Sequence, residues 1–157
     1  MSKYHLAQVN IARMLAPIDS LVMADFVNDL DRINTTAEKS QGFIWRLTGD
    51  ENNATALSVF ENDFLIINMS VWESMEALFN FTYVSQHAGV LKRKKKWFHK
   101  MTDMHMCFWF VGAGYEPSPE EAKRRLQYLN SHGASPYAFS FKEKCSTEDA
   151  MNYMPEI

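Results

Sequence analysis

The chain is 157 residues long, 46% hydrophobic, 13% aromatic and 22% charged, proportions of a single globular domain with room for a sizeable core. Sixteen Lys and Arg stand against nineteen Asp and Glu, a formal net charge of −3. Six of those cations fall in residues 85–100 and the rest of the chain is acidic, which argues against a nucleic-acid partner, because each phosphate contact needs its own cation.

Tyr4–Ala12, YHLAQVNIA, alternates as a strand, with His5, Ala7, Val9 and Ile11 on one face and Leu6, Gln8 and Asn10 on the other. After a turn in APIDS, Val22, Met23, Phe26, Val27, Leu30 and Ile33 recur at helical spacing from about Ser20 to Glu38. KSQG ends that helix. Gly42–Leu47 is the second strand, from which Arg46 projects away from Phe43, Trp45 and Leu47. Residues 48–63 are polar, Asn-rich and without a period, and read as a long loop. FLIINMSVW, Phe64–Trp72, is the clearest strand.

A helix follows from about Ser74 through Met75, Leu78, Phe79 and Thr82, and a second begins near Ser85. MCFWFV, 106–111, is an aromatic strand. Ser118 is a natural N-cap, Pro119 suits the first helical position, Glu121 completes a capping box and Gly133 closes the helix. Pro136–Phe141 reads as a last strand. The domain is placed at 1–142, with 143–157 a loosely ordered tail.

The order β-α-β-β-α-β, then α-β, predicts an α+β fold: a ferredoxin-like sandwich with an extra C-terminal helix and strand. Such a sheet carries its helices on one face. Its other, apolar face needs a cover, and a second copy of the chain is the expected one, with the extra helix and strand as the alternative.

On a helix over 85–101, His87, Val90, Leu91, Lys94, Trp97, Phe98 and Met101 share one face, while Lys92, Arg93, Lys95, Lys96 and Lys100 take the sides and back. The basic run is therefore read as a solvated outer face. His87 and Lys94 lie on the apolar stripe. A neutral imidazole there can accept a proton or bind a metal or haem iron, and an ammonium there must snorkel, pair with a carboxylate or meet a ligand's anion. The alternative is a histidine satisfied by a backbone carbonyl and a lysine reaching water.

Strand alternation yields a second polar set: Gln8 with Asn10, and Asn68 with Ser70 and Trp72. Amides in central strands cost stability unless bonded, so such a set marks either a polar pocket under the helices or a hydrated interface. Alternation does not say which side faces the helices.

Dinucleotide, Walker-type, G-x-S-x-G and H-E-x-x-H motifs are absent from the sequence, and its five histidines lack close ligand spacing, so no metal site is expected. Cys107 reads as core, and two cysteines make no disulfide framework. The start, MSKYHLAQVN, lacks the design of a signal peptide, and no apolar run is long enough for a membrane span, so a cytoplasmic protein without membrane contact is expected.

The segment MSVWESMEALFNFTYVSQHAGVLKRKKKWF resembles the strand–Trp–Glu–Ser–helix–His passage of the dimeric α/β-barrel superfamily, which includes antibiotic-biosynthesis and haem-degrading monooxygenases. YHLAQVNIARMLAP, GFIWRL and EEAKRRLQYLNSHGASPYAFSF resemble an uncharacterised bacterial family of unknown function within it, over roughly residues 3–142. The haem-degrading enzymes' Asn, helical aromatic and His ligand are similar in position to Asn10, Phe81 and His87. Phe81 stands where that group carries Trp, and the spacing from Trp72 to His87 is shorter than theirs. The resemblance implies a homodimeric α/β barrel and a monooxygenase-like activity on a small aromatic or polycyclic compound, with no cofactor or with haem. His87 would be base or ligand, Asn10 and Asn68 would orient oxygen or substrate, and Lys94, Trp72, Phe81, Trp97 and Arg46 would bind the substrate. The alternative is a non-catalytic small-molecule binding or stress-related protein using the same pocket.

Overall fold

The structure is a computed structural model that describes residues 4–48, 59–60, 65–84, 96–100 and 105–152. The elements run β1 (Tyr4–Arg13), α1 (Ala24–Lys39), β2 (Phe43–Arg46), β3 (Leu65–Trp72), α2 (Met75–Val84), β4 (Met106–Gly112), α3 (Pro119–His132) and α4 (Thr147–Met151). The strands form one sheet in the order β2-β3-β1-β4, with every neighbouring pair antiparallel. β1 is central: it pairs with β3 from Leu6↔Trp72 to Arg13↔Leu65 and with β4 from Tyr4↔Gly112 to Asn10↔Met106. Among the described residues no helix is long and apolar enough to cross a membrane.

Helices cover both faces of this sheet. Ala7, Val9, Ile11, Met69, Val71, Cys107, Trp109 and Val111 point to one side, where they pack on Ala122, Leu126 and Leu129 of α3. Leu6, Trp72 and Phe108 point to the other, where they meet Ala37 of α1 and Leu78 of α2. Farther along that second side, Met23 and Phe26 of α1 close with Met14 and Trp97 over Ile66. The more apolar face thus belongs to α3 of the same chain, the cover that the sequence offered as the alternative to a second copy. The face carrying Gln8, Asn10, Asn68, Ser70 and Trp72 looks toward α1 and α2.

Several local expectations change, each for a visible reason. α1 begins at Ala24 rather than near Ser20, because the Ser20 hydroxyl donates to the Pro17 carbonyl at 2.6 Å and holds the preceding segment in successive turns. β2 carries an irregularity between Phe43 and Trp45, which pair with Trp72 and Val71 respectively. The irregularity puts Phe43 on the α1/α2 side against Trp72 and leaves Trp45 and Leu47 on the α3 side, so the three apolar residues do not share a face.

The last expected strand shrinks to isolated bridges. Ser135 and Ala138 bond each other across a tight turn at Pro136, and only Phe139 reaches β4, exchanging two 2.9 Å bonds with Phe108. The Ser140 hydroxyl then accepts from the Glu143 N–H and bends the chain away. That one bridge nevertheless occupies the outer edge of β4, where an open row of N–H and C=O groups would otherwise lie.

Residues 85–95 of the expected basic helix lie outside the described residues. Lys96–Lys100 are not α-helical: Leu15 N–H donates to Trp97 O at 2.8 Å, His99 N–H donates to Arg13 O at 2.9 Å, and Phe98 bridges Met14. The expected sidedness holds there, with Trp97 buried and Lys96 and Lys100 exposed. α3 has its expected punctuation, with one change. Ser118 Oγ accepts from the Glu121 N–H at 3.2 Å, Pro119 leads the helix and Gly133 ends it at φ 80°. The Glu121 carboxylate bonds Tyr115 and Arg125.

Candidate functional site

The side of the sheet under α1 and α2 is built in rows across the strands. The first row is apolar: Phe43, Trp72, Leu6 and Phe110 lie side by side. The next runs Arg46, Ser70, Gln8, Phe108, and the third Asn68, Asn10, Met106. Beyond it lies Ile66, beside Ala12. A polar strip two rows deep therefore crosses the centre of the sheet between two apolar zones.

Its hydrogen bonds are specific. Gln8 Nε2 donates to Asn68 Oδ1 at 2.6 Å and to Ser70 Oγ at 2.8 Å, and Trp72 Nε1 donates to the same Ser70 Oγ at 2.8 Å. Gln8 and Ser70 are each 5% exposed, so these bonds satisfy groups that burial would otherwise penalise. Both Gln8 amide hydrogens and both Ser70 lone pairs are used. Asn68 spends its carbonyl oxygen on Gln8, which turns its NH2 group away from the sheet floor, and Asn68 is exposed while Asn10 is half-buried. The buried half of the strip locks the orientation of the open half.

Aromatic rings bound the strip at both ends. Trp72, 1% exposed, stacks on Phe81 of α2 at 5.2 Å and meets Phe43 edge-on at 5.4 Å. At the other end Trp97, 2% exposed, packs on Phe26 of α1 at 5.4 Å in the cluster that includes Ile66. Arg46 ends the middle row at the sheet edge, where its Nε donates to Glu38 of α1 at 2.7 Å, an ion pair open to solvent.

Of the expected site residues, the sheet brings together Asn10 and Asn68, directly opposite each other. Buried Trp72 and Trp97 and half-buried Phe81 frame the strip. Arg46 shares its middle row but is paired to Glu38. His87 and Lys94 lie outside the described residues. The expected set omitted Gln8 and Ser70, the two residues that bond the strip together, although alternation had already put them on the same face as Asn10 and Asn68. Neutral amides and a hydroxyl can orient a polar group of a guest, but they neither take nor give a proton near neutral pH. The Phe81 ring stacks on Trp72, and His87, the expected haem ligand, lies outside the described residues. Among the described residues no group of three or more His, Cys, Asp or Glu side chains is arranged to hold a metal ion.

A four-stranded antiparallel sheet with helices on both faces and an amide strip on one of them defines an α+β domain with a polar floor. The chain belongs to the family described as a domain of unknown function, DUF3291, whose model matches residues 5–154. No curated protein and no solved structure matches the chain.

Proposed function

We propose that the amide strip is the floor of a binding site for a small aromatic compound, and that the protein acts on that compound as a monooxygenase-like enzyme. The observation that carries this reading is the Trp72–Ser70–Gln8–Asn68 chain of hydrogen bonds, fixed at its buried end and open at Asn68, between two aromatic clusters. A planar guest suits that frame, with its oxygen accepting from the Asn68 amide. Support for the reaction class comes from the likeness of VWES and the helix after it to cofactor-free monooxygenases, whose substrates supply their own electrons. The strand order and the β-α-β-β-α-β succession support a ferredoxin-like fold. His87 is the proposed base, and Lys94 the proposed partner of a substrate anion.

The protein is proposed to be a homodimer. With the apolar sheet face under α3, a second copy would meet the exposed set Leu15, Ile18, Leu21, Val22 and Val27, of which Leu21 is 94% exposed. A non-catalytic binding protein is the second reading, favoured by the absence of any titratable side chain from the strip's bonded core of Gln8, Asn68, Ser70 and Trp72.

Oxygen uptake with a panel of phenols and hydroquinones, together with native mass spectrometry of the purified protein, tests both. Asn68→Ala is expected to weaken binding or kcat/KM at least about tenfold, the loss of one hydrogen bond to substrate. It also removes the acceptor of the buried Gln8 amide, so a stability loss of about 1–2 kcal/mol is expected, and binding is read on the folded variant. Binding without oxygen uptake selects the second reading, and a variant that binds and turns over as the parent does removes the site.

A further inference from the structure

The opposite side of the sheet, under α3, holds polar atoms that the rest of the fold leaves unsatisfied. Trp109 is fully buried, and its Nε1 has no hydrogen-bond partner among the described residues. Arg125 Nε and His5 Nδ1 are likewise buried and unpartnered. All three residues lie on the α3 side of the sheet. The register sets His5 against Val111 and Ala7 against Trp109, so His5 and Trp109 are diagonal neighbours on the α3 side. Arg125 descends from α3 over Trp109, its guanidinium carbon 5.7 Å from the Trp109 ring centre and 4.0 Å from that of Tyr137.

The remaining guanidinium nitrogens are occupied. Nη1 donates to the Tyr137 carbonyl at 2.9 Å and Nη2 to Glu121 Oε2 at 3.3 Å, while Glu121 Oε1 accepts from the Tyr115 hydroxyl at 2.8 Å. A buried polar group left without a hydrogen bond is costly, and folded proteins rarely leave several together. We infer that one water molecule is bound between Trp109, Arg125 and His5, joining α3 to β1 and β4.

Donor and acceptor arithmetic favours that guest. The indole N–H and the guanidinium Nε–H fill the two lone pairs of a water oxygen, and one water hydrogen is donated to Nδ1 of a neutral His5. Three partners are what a buried water usually makes. An anion fits less well, since Glu121 already balances Arg125 and a further negative charge would be buried without a counter-ion. A cation would meet two donors.

The test uses the whole protein with ¹⁵N-labelled tryptophan. Four indole signals are expected, from Trp45, Trp72, Trp97 and Trp109, and Trp109→Phe deletes and so assigns one. That signal should show a through-space cross-peak to water, and its position should be the same in chloride and sulfate buffers. A cross-peak only to protein protons, or a shift that follows halide concentration, overturns the inference. Should Trp109→Phe not fold, Phe substitutions at the other three tryptophans assign the signal by elimination. A crystal structure gives the second measurement: an ordered water within about 3.2 Å of Trp109 Nε1 and Arg125 Nε is expected. A dry gap or a protein acceptor there overturns the inference.

Discussion

Ser70 joins the two halves of the strip, because one oxygen accepts from both Gln8 and Trp72. Ser70→Ala leaves both donors buried without that acceptor and is expected to cost about 2–3 kcal/mol in urea unfolding, well beyond an exposed Ser→Ala. Gly42 and Gly114 make a matched pair of a different kind. Both have positive φ, 87° and 90°, but a Cβ at Gly42 would lie 2.5 Å from Ala77 Cβ of α2, whereas one at Gly114 meets nothing within 4 Å. Gly114→Ala should therefore show backbone strain alone, about 1–2 kcal/mol. Gly42→Ala adds a clash that only a shift of α2 can relieve, for a total of about 2–5 kcal/mol. Unfolding curves of the two variants measured side by side check the difference. At this scale the sequence was informative about residue type and face but not about partners. Gln8 and Asn68 could be placed on one surface by counting, yet their mutual bond depends on a register that alternation does not contain.

α3 is the element whose limits were most legible, because its punctuation is local chemistry: a hydroxyl at the start, a proline inside it and a glycine at positive φ beyond the end. Ser118→Ala leaves the Glu121 N–H without its cap, and a loss of about 1 kcal/mol in unfolding free energy is expected. What α3 does was not legible. Glu121 was expected to complete a capping box, whereas its carboxylate bonds Tyr115 and Arg125, and Arg125 lies over Trp109. The stretch 136–141 was misjudged for the converse reason. PYAFSF has strand composition, but a proline-led turn and a serine-led bend leave room for a single bridging residue. β2 was placed correctly as an element and incorrectly as a set of faces, since the irregularity beside Phe43 has no signature in hydrophobic pattern.

For the molecule as a whole, the α+β class and the β-α-β-β-α-β succession along the chain followed from periodicity. The decision about which face looks at which helices did not, because helices on both faces of one sheet satisfy the same alternation. The two thiols report on that arrangement. Cys107 lies under α3, and burial pushes its thiol from 9.0 up to about 12, with Arg125 opposing the rise. Above pH 9 the unfolded chain loses this proton while the folded one keeps it to about 12, so stability should fall as pH rises through that interval. Tyr115, raised by its bond to Glu121, acts in the same direction. Urea midpoints compared at pH 8 and about pH 10.5 should fall less for Cys107→Ala than for the parent. A thiol reagent in native buffer should modify half-buried Cys145 first and reach Cys107 only on unfolding.

The placement of Trp72 and Trp97 at opposite ends of the amide strip gives the protein an intrinsic optical reporter. Both indoles are shielded from bulk solvent, and that of Trp72 is wired through Ser70 and Gln8 to the exposed Asn68. A guest that exchanges the hydration of Asn68 for its own oxygen changes the field along this wire. Its arrival should be readable as a change in tryptophan emission, without any dye or label.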